Sequence, residues 1–309
     1  MKFSVSKEKL LEGLQTVQNV VSTRTTLPIL SNVLLQATDG QLRFTTSDLD
    51  VGIRSAVEVS VEKPGATTLP ARRLLSIVRE LPTSEITVEV DSKNVASIRS
   101  GPSFFKILGL PEEEFPPLPK FENAKTFTLR QKDLRDALKK TSYAISTDET
   151  RYVLNGILFS FRDNKLTLVA TDGRRLALVD IELEFPRSNE GDIIIPSKTV
   201  NEIARLLTDD GEIKVSIGEN QAAFEVDGTL LVSKLIEGNY PNYRQVIPHE
   251  FLADATIPEN QRPALISWLR SMEGKGDSVR LTRGKPGHLT LTPRDSDTTG
   301  AQIHVPGHR

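Results

Sequence analysis

One stretch of this chain occurs twice, and that duplication constrains the fold more than any compositional figure. QLRFTTSDLDVGIRSAVEVSV (41–61) and KLTLVATDGRRLALVDIELEF (165–185) share one frame: an alternating strand, a turn carrying Thr and Asp, and a second long strand. HLTLTPRDSDTTGAQIHV (288–305) is a weaker third copy. Each copy is preceded by a strand that leads into an amphipathic helix, in FSVSKEKLLEGLQTV, FTLRQKDLRDALKKT and ATIPENQRPALISWLRSM. The copies stand roughly 125 residues apart, too far for a solenoid repeat and suited to three domains of one fold.

A second period lies inside the first. ATTLPARRLLSIVRELPTSEITVEV (66–90) and DIIIPSKTVNEIARLLTDDGEIKVSI (192–217) align as strand, proline, basic residue, helix and strand, and proline-rich exits, EFPPLP and NYPNY, follow them. The repeating unit is therefore β-α-β-β-β, about 60 residues long and present five times. This pattern predicts an α+β fold with long antiparallel sheets and short helices gathered on one face. It divides the chain into domains at 1–122, 123–248 and 249–309, which suits 309 residues, too many for one ordinary core.

Residues 165–178 read as a β-hairpin around an Asp172-Gly173 turn, followed by Arg174 and Arg175. Such arginines serve a nucleic-acid contact, a catalytic loop or merely a solvated corner. The net charge of −2 excludes a molecule that is basic throughout, so any affinity for phosphate has to be local. The helices supply such a bias. Segment 71–80 carries +2, with Arg72, Arg73 and Arg79 against Glu80, and 130–141 carries +3. Segment 197–206 carries +1 and the first helix is neutral, which leaves an acidic remainder. Basic helices on an acidic body are what a phosphate-facing surface requires, although solvated helix faces give the same count.

The chain has no cysteine, which removes disulfides, thiolate nucleophiles and cysteine-bound metals. No signal-peptide core follows MKFSVSKEKL, and no run approaches the ~18 apolar residues of a membrane span, so the expected location is the cytoplasm. All four histidines fall after residue 248, and only His304 and His308 have i, i+4 spacing, across Pro306 and Gly307. No nucleotide-binding glycine motif or nucleophile elbow is present. The acidic clusters DDGE and PEEEF sit in a turn and a linker. No enzyme, metal or cofactor is expected.

MKFSVSKEKLLEGLQTV, TLPILSNVLLQ, GATTLPARRLLSIVRELP, TRYVLNGILF, VATDGRRLAL and GNYPNYRQVIP together resemble the bacterial sliding clamp family, the β subunit of DNA polymerase III. The resemblance runs from residue 1 to about 248 and weakens beyond 251. It implies clamp domains whose helices line a channel and whose antiparallel sheets form the outside, arranged as a head-to-tail homodimeric ring around double-stranded DNA without sequence specificity. The implied partners are DNA polymerase III subunits, the clamp loader and other proteins that carry a clamp-binding motif. The family has six units where this chain has five, so the resemblance implies an incomplete third domain. The alternative is a shortened paralogue or fragment that binds partner peptides without closing a ring on DNA; steep salt dependence would mark the DNA-binding form.

The resemblance also implies site residues. DNA contacts fall on Arg24, Arg72, Tyr152 and Lys198, with Val153 where the family often has a second aromatic. The partner-peptide pocket falls on Leu154, Thr171, Gly173, Arg174, Arg175, Leu176, Pro241 and Val246. Gln245 stands where many members have arginine. The dimer interface falls on Phe105 and Ile107 of SFFKILGL, facing Leu269 and Met272 of ALISWLRSM.

Overall fold

A computed structural model describes residues 1–21, 27–82, 85–121 and 124–247 and, beyond them, 263, 266–267, 279–283, 288–293 and 301–304. β1 (Lys2–Ser6) runs into α1 (Lys7–Val17), followed by β2 (Asn32–Thr38), β3 (Gln41–Ser47) and β4 (Val51–Glu58). After a short β5 (Ser60–Lys63) the order returns as β6 (Gly65–Pro70), α2 (Ala71–Glu80), β7 (Glu85–Val90), β8 (Val95–Ser100) and β9 (Ser103–Leu108). It returns again as β10 (Lys125–Arg130), α3 (Gln131–Thr141), β11 (Gly156–Arg162), β12 (Lys165–Thr171) and β13 (Leu176–Glu182). The fourth passage is β14 (Gly191–Pro196), α4 (Ser197–Leu206), β15 (Glu212–Ile217), β16 (Gln221–Val226) and β17 (Thr229–Lys234). The α+β reading therefore holds, with β5 as a strand the repeat did not foresee. The chain forms two compact units, Met1–Tyr240 and Pro241–Arg309. In the second, β18 (Val279–Arg283), β19 (His288–Pro293) and β20 (Ala301–His304) make an antiparallel sheet.

Successive units exchange their first strands. β1 leaves its own hairpins and pairs with β7, with Phe3 opposite Val88, while β6 pairs back onto β2, with Leu69 opposite Val33. The second pair of units repeats this, β10 joining β15 and β14 joining β11. A single unit cannot complete either sheet, which couples the units in pairs. β17 then pairs with β4, with Leu231 opposite Ile53, and joins both halves into one eight-stranded sheet.

The helices cover these sheets through one apolar stripe each. Leu10, Gly13, Leu14 and Val17 of α1 are buried, as are Ala71, Leu74, Leu75 and Val78 of α2. Ser6 caps α1 by accepting from Lys9 N. The Lys7 ammonium donates to the carbonyls of Arg79 (2.8 Å) and Leu81 (2.7 Å), satisfying the C-terminal end of α2. Gln131 opens α3 at the equivalent place and accepts from Thr208 N at 2.9 Å, just past α4. Gly13 permits the closest approach: a Cβ there would run into the Phe44 ring of β3. Phe127, Phe161 and Phe185 cluster in the second half, two of them stacked at 4.0 Å.

Candidate functional site

The second hairpin carries the residues that the repeat singled out. β12 and β13 are in register through Thr171 opposite Leu176, so the turn contains four residues, Asp172 to Arg175, and not the two-residue Asp172-Gly173 turn expected. The reason is local hydrogen bonding. Asp172 Oδ1 accepts from Arg174 N and Arg175 N, both at 3.0 Å, and Thr171 Oγ1 accepts from Gly173 N and donates to the Arg175 carbonyl. Burial raises the Asp172 pKa. The N–H groups of Arg175 and Arg174 and the Arg175 guanidinium outweigh that and hold the carboxyl below its ordinary value. Gly173 has φ +86°, a conformation that glycine adopts without penalty.

The Arg175 side chain is held on both sides. Arg175 pairs with Asp172 at 3.1 Å and lies 5.5 Å over the exposed Tyr143 ring. Leu154 is buried, Leu176 is half-buried, and Gly173 is exposed. Pro241 and Val246 belong to the other compact unit, where Val246 is exposed.

A further residue enters that sequence reasoning missed. Arg151 Nη1 lies 2.8 Å from where a Cβ on Gly173 would stand, so its guanidinium covers the glycine. Arg151 sits at a kink (φ −111°, ψ 55°) inside the short helical run Glu149–Leu154, held by Asp148 at 3.1 Å. The Thr150 hydroxyl and N–H, and then Arg151, hold the Asp148 carboxyl below its ordinary pKa. The same run carries Tyr152, 59% exposed, and Leu154. Nothing in the TRYVL spacing distinguishes Arg151 from a solvated side chain; its place over Gly173 follows from the kink.

The basic residues divide into paired and free. Arg72, Arg73, Lys132, Lys139 and Lys140 are exposed, and among the described residues no ion pair engages them. Arg135 pairs with Asp209 and Arg205 with Glu202. Lys198 pairs with Asp48, so this expected phosphate contact already has an anionic partner within the chain. Arg24 lies outside the described residues.

The edge strand β9 presents Phe104 (50% exposed), Phe105 (38%) and Leu108 (68%). Ile107 is only 1% exposed and packs in its own core, contrary to its expected place as an interface anchor. Strand alternation puts it opposite Ala96 on the buried face of β8. Leu269 and Met272 lie outside the described residues.

Residues 1–119 match the family described as DNA polymerase III beta subunit, N-terminal domain, and residues 128–242 match its central domain. The Beta sliding clamp of Chlamydia muridarum is 38% identical over 296 residues, covering 94% of this chain and 80% of that protein. The Beta sliding clamp of Bacillus subtilis is 33% identical, covering 99% and 83%. Among solved structures, the DNA polymerase sliding clamp from Bacillus subtilis superposes with a TM-score of 0.88 at 30% identity, covering 99% of this chain and 83% of that one. The DNA polymerase III subunit beta from Pseudomonas aeruginosa gives the same TM-score and identity, over 99% and 84%.

Proposed function

We propose how the surfaces divide their work from one premise: this chain belongs to the family of DNA polymerase III β subunits, the bacterial sliding clamps. It is a DNA sliding clamp, a processivity factor in replication and not an enzyme. The helices form its DNA-facing surface. Arg72, with Arg73, Lys132, Lys139 and Lys140, meets phosphates without reading bases, because point charges on helix faces neutralise a backbone of any sequence. Tyr152, an exposed aromatic, and Arg24 belong to the same set through the family resemblance.

The turn at 172–175 takes the partner peptide. Gly173 admits a peptide backbone once the flexible Arg151 side chain swings off it, Leu154 and Leu176 supply an apolar floor, and the stems of Arg174 and Arg175 cover apolar surface. Its ligands are the short linear segments of DNA polymerase III subunits, the clamp loader and other clamp-binding proteins. The exposed Phe104, Phe105 and Leu108 of β9 are the surface for a head-to-tail homodimer.

The observation that supports this reading best is the state of the helix cations: Arg72, Arg73 and Arg79 of α2 and Lys132, Lys139 and Lys140 of α3 are exposed and have no ion pair among the described residues. Arg135 alone on these two helices is paired, whereas half of the strand-borne cations on the same compact unit are. The test is retention on DNA. Loaded by a clamp loader onto nicked circular DNA, the protein stays linked through a high-salt wash, because a closed ring holds a circle even when salt screens its phosphate contacts, and is lost when the circle is linearised. Loss from both templates at the same rate would overturn the ring and leave a peptide-binding protein.

A further inference from the structure

We propose that the first hairpin turn builds a second docking groove, for a short peptide segment bearing one leucine- or phenyl-sized side chain next to a carboxylate. The internal repeat puts Asp48 and Leu49 where the second copy has Asp172 and Gly173. The two turns are closed alike: Asp48 Oδ1 accepts from Asp50 N at 3.1 Å and Val51 N at 2.8 Å, as Asp172 does from its own two successors. The next residue is left-handed in both, with φ +77° at Leu49 and +86° at Gly173. Glycine is at ease there, whereas a bulky side chain is an outlier.

Leu49 is also 48% exposed, so the strained backbone is not offset by burial of its side chain. Outliers of this kind gather where a ligand is clamped. Leu49 does not stand on a flat surface. With Val51, Val232 and the linker prolines Pro116, Pro117 and Pro119 it lines a groove of about 200 Å3. Gly52 occupies the position equivalent to Leu176, and the space a side chain would fill there is taken by Leu118 of the linker. The chain thus provides its own leucine for the floor and leaves room beside Leu49 for an apolar side chain. Lys234 and the exposed Asp50, paired at 3.0 Å, both line the groove, and Lys234 is the cation a peptide carboxylate would meet by displacing that surface pair.

The class of occupant rests on the peptide-binding reading of the 172–175 turn; the groove itself does not. The test is a titration of the isotope-labelled full chain with acetyl-GDLFG-amide, followed by amide chemical shifts, with acetyl-GDAAG-amide as control. Leu49, Gly52 and Lys234 should shift with a dissociation constant on the order of millimolar. Leu49→Asn, which suits a left-handed backbone and keeps the turn, should weaken binding about fivefold. An unchanged constant in that variant, equal shifts from the control peptide, or shifts at Gly173 and Leu176 with none at Leu49 would overturn the inference. Shifts at Leu49 with none at Gly173 would support it and count against the 172–175 turn.

Discussion

Lys198 at the start of α4 reaches Asp48 in the turn between β3 and β4, a partner 150 residues away in sequence. The same carboxylate also holds that turn through Asp50 N and Val51 N, and its side chain is 15% exposed. One carboxylate therefore ties a helix in the second half of the chain to a hairpin of the first. Any phosphate that engages Lys198 has to compete with it.

That competition separates Lys198 from Arg72. Arg72→Ala should weaken binding of a short duplex at low salt and make the salt slope shallower by about one unit, the signature of one lost phosphate contact. Lys198→Ala should change much less. Asp48→Asn keeps an oxygen for the turn but releases the lysine, so it should tighten duplex binding about twofold to fivefold. Fluorescence titrations at several salt concentrations check all three, and a weaker Asp48→Asn complex would contradict the competition.

At the second turn the limiting feature is backbone, not space. Gly173→Ala brings a Cβ toward Arg151, whose flexible side chain can move, yet φ +86° remains unfavourable for alanine. The variant should lose about 1 kcal/mol of stability and bind partner peptides about tenfold more weakly. Leu176→Ala should weaken the same peptides to a similar extent, since one leucine-sized contact is worth roughly 1.5–3 kcal/mol. Denaturant unfolding and calorimetry measure the two effects separately. Wild-type affinity in Leu176→Ala would return Arg174 and Arg175 to the role of a solvated corner.

The units were legible because helix and strand periods write themselves into local sequence: KEKLLEGLQTV and KLTLVAT each carry their own pattern. What joins the units was not legible. The exchange of β1 and β6 and the β4–β17 seam depend on pairing between strands far apart, and an alternating strand carries no label for its partner. The turn length was misread because the Asp172 carboxylate, which binds two successive N–H groups, stabilises a longer loop than Asp-Gly alone suggests. Ile107 was misread because an apolar residue in an edge strand belongs to the core or the interface according to which face it takes. The Lys198–Asp48 pair was not legible because its two residues lie in different halves of the chain.

Gly13 tests the packing between α1 and β3. On propensity alone, Gly13→Ala should stabilise the helix by nearly 1 kcal/mol. Here the added methyl meets the fully buried Phe44 ring, and overpacking a well-filled core costs about 1–3 kcal/mol. Net destabilisation is the expected outcome in urea unfolding; a variant at least as stable as the wild type would show that the ring relaxes freely.

Tyr240 tests the chain's exit toward the second unit. Its ring stands where the first linker has Phe115, and its Oη is buried with no hydrogen-bond partner among the described residues. Burial pushes the phenol up to about 12, and the nearby Thr171 backbone offsets this only in part. An acid whose folded pKa is raised stabilises the fold while it stays protonated. That contribution is complete below the unfolded value of 10.0 and is lost as the pH rises toward about 12. Tyr240→Phe removes both the unsatisfied hydroxyl and this alkaline loss. The variant should equal or exceed the wild type at pH 7, by up to about 1 kcal/mol, and its unfolding free energy should fall less steeply between pH 10 and 12. Ultraviolet titration should find a late-ionising tyrosine in the wild type that is lost in the variant. A Tyr240→Phe protein clearly less stable at pH 7 would mean that the hydroxyl has a partner after all, and that the Thr171 backbone beside the peptide turn is held by it.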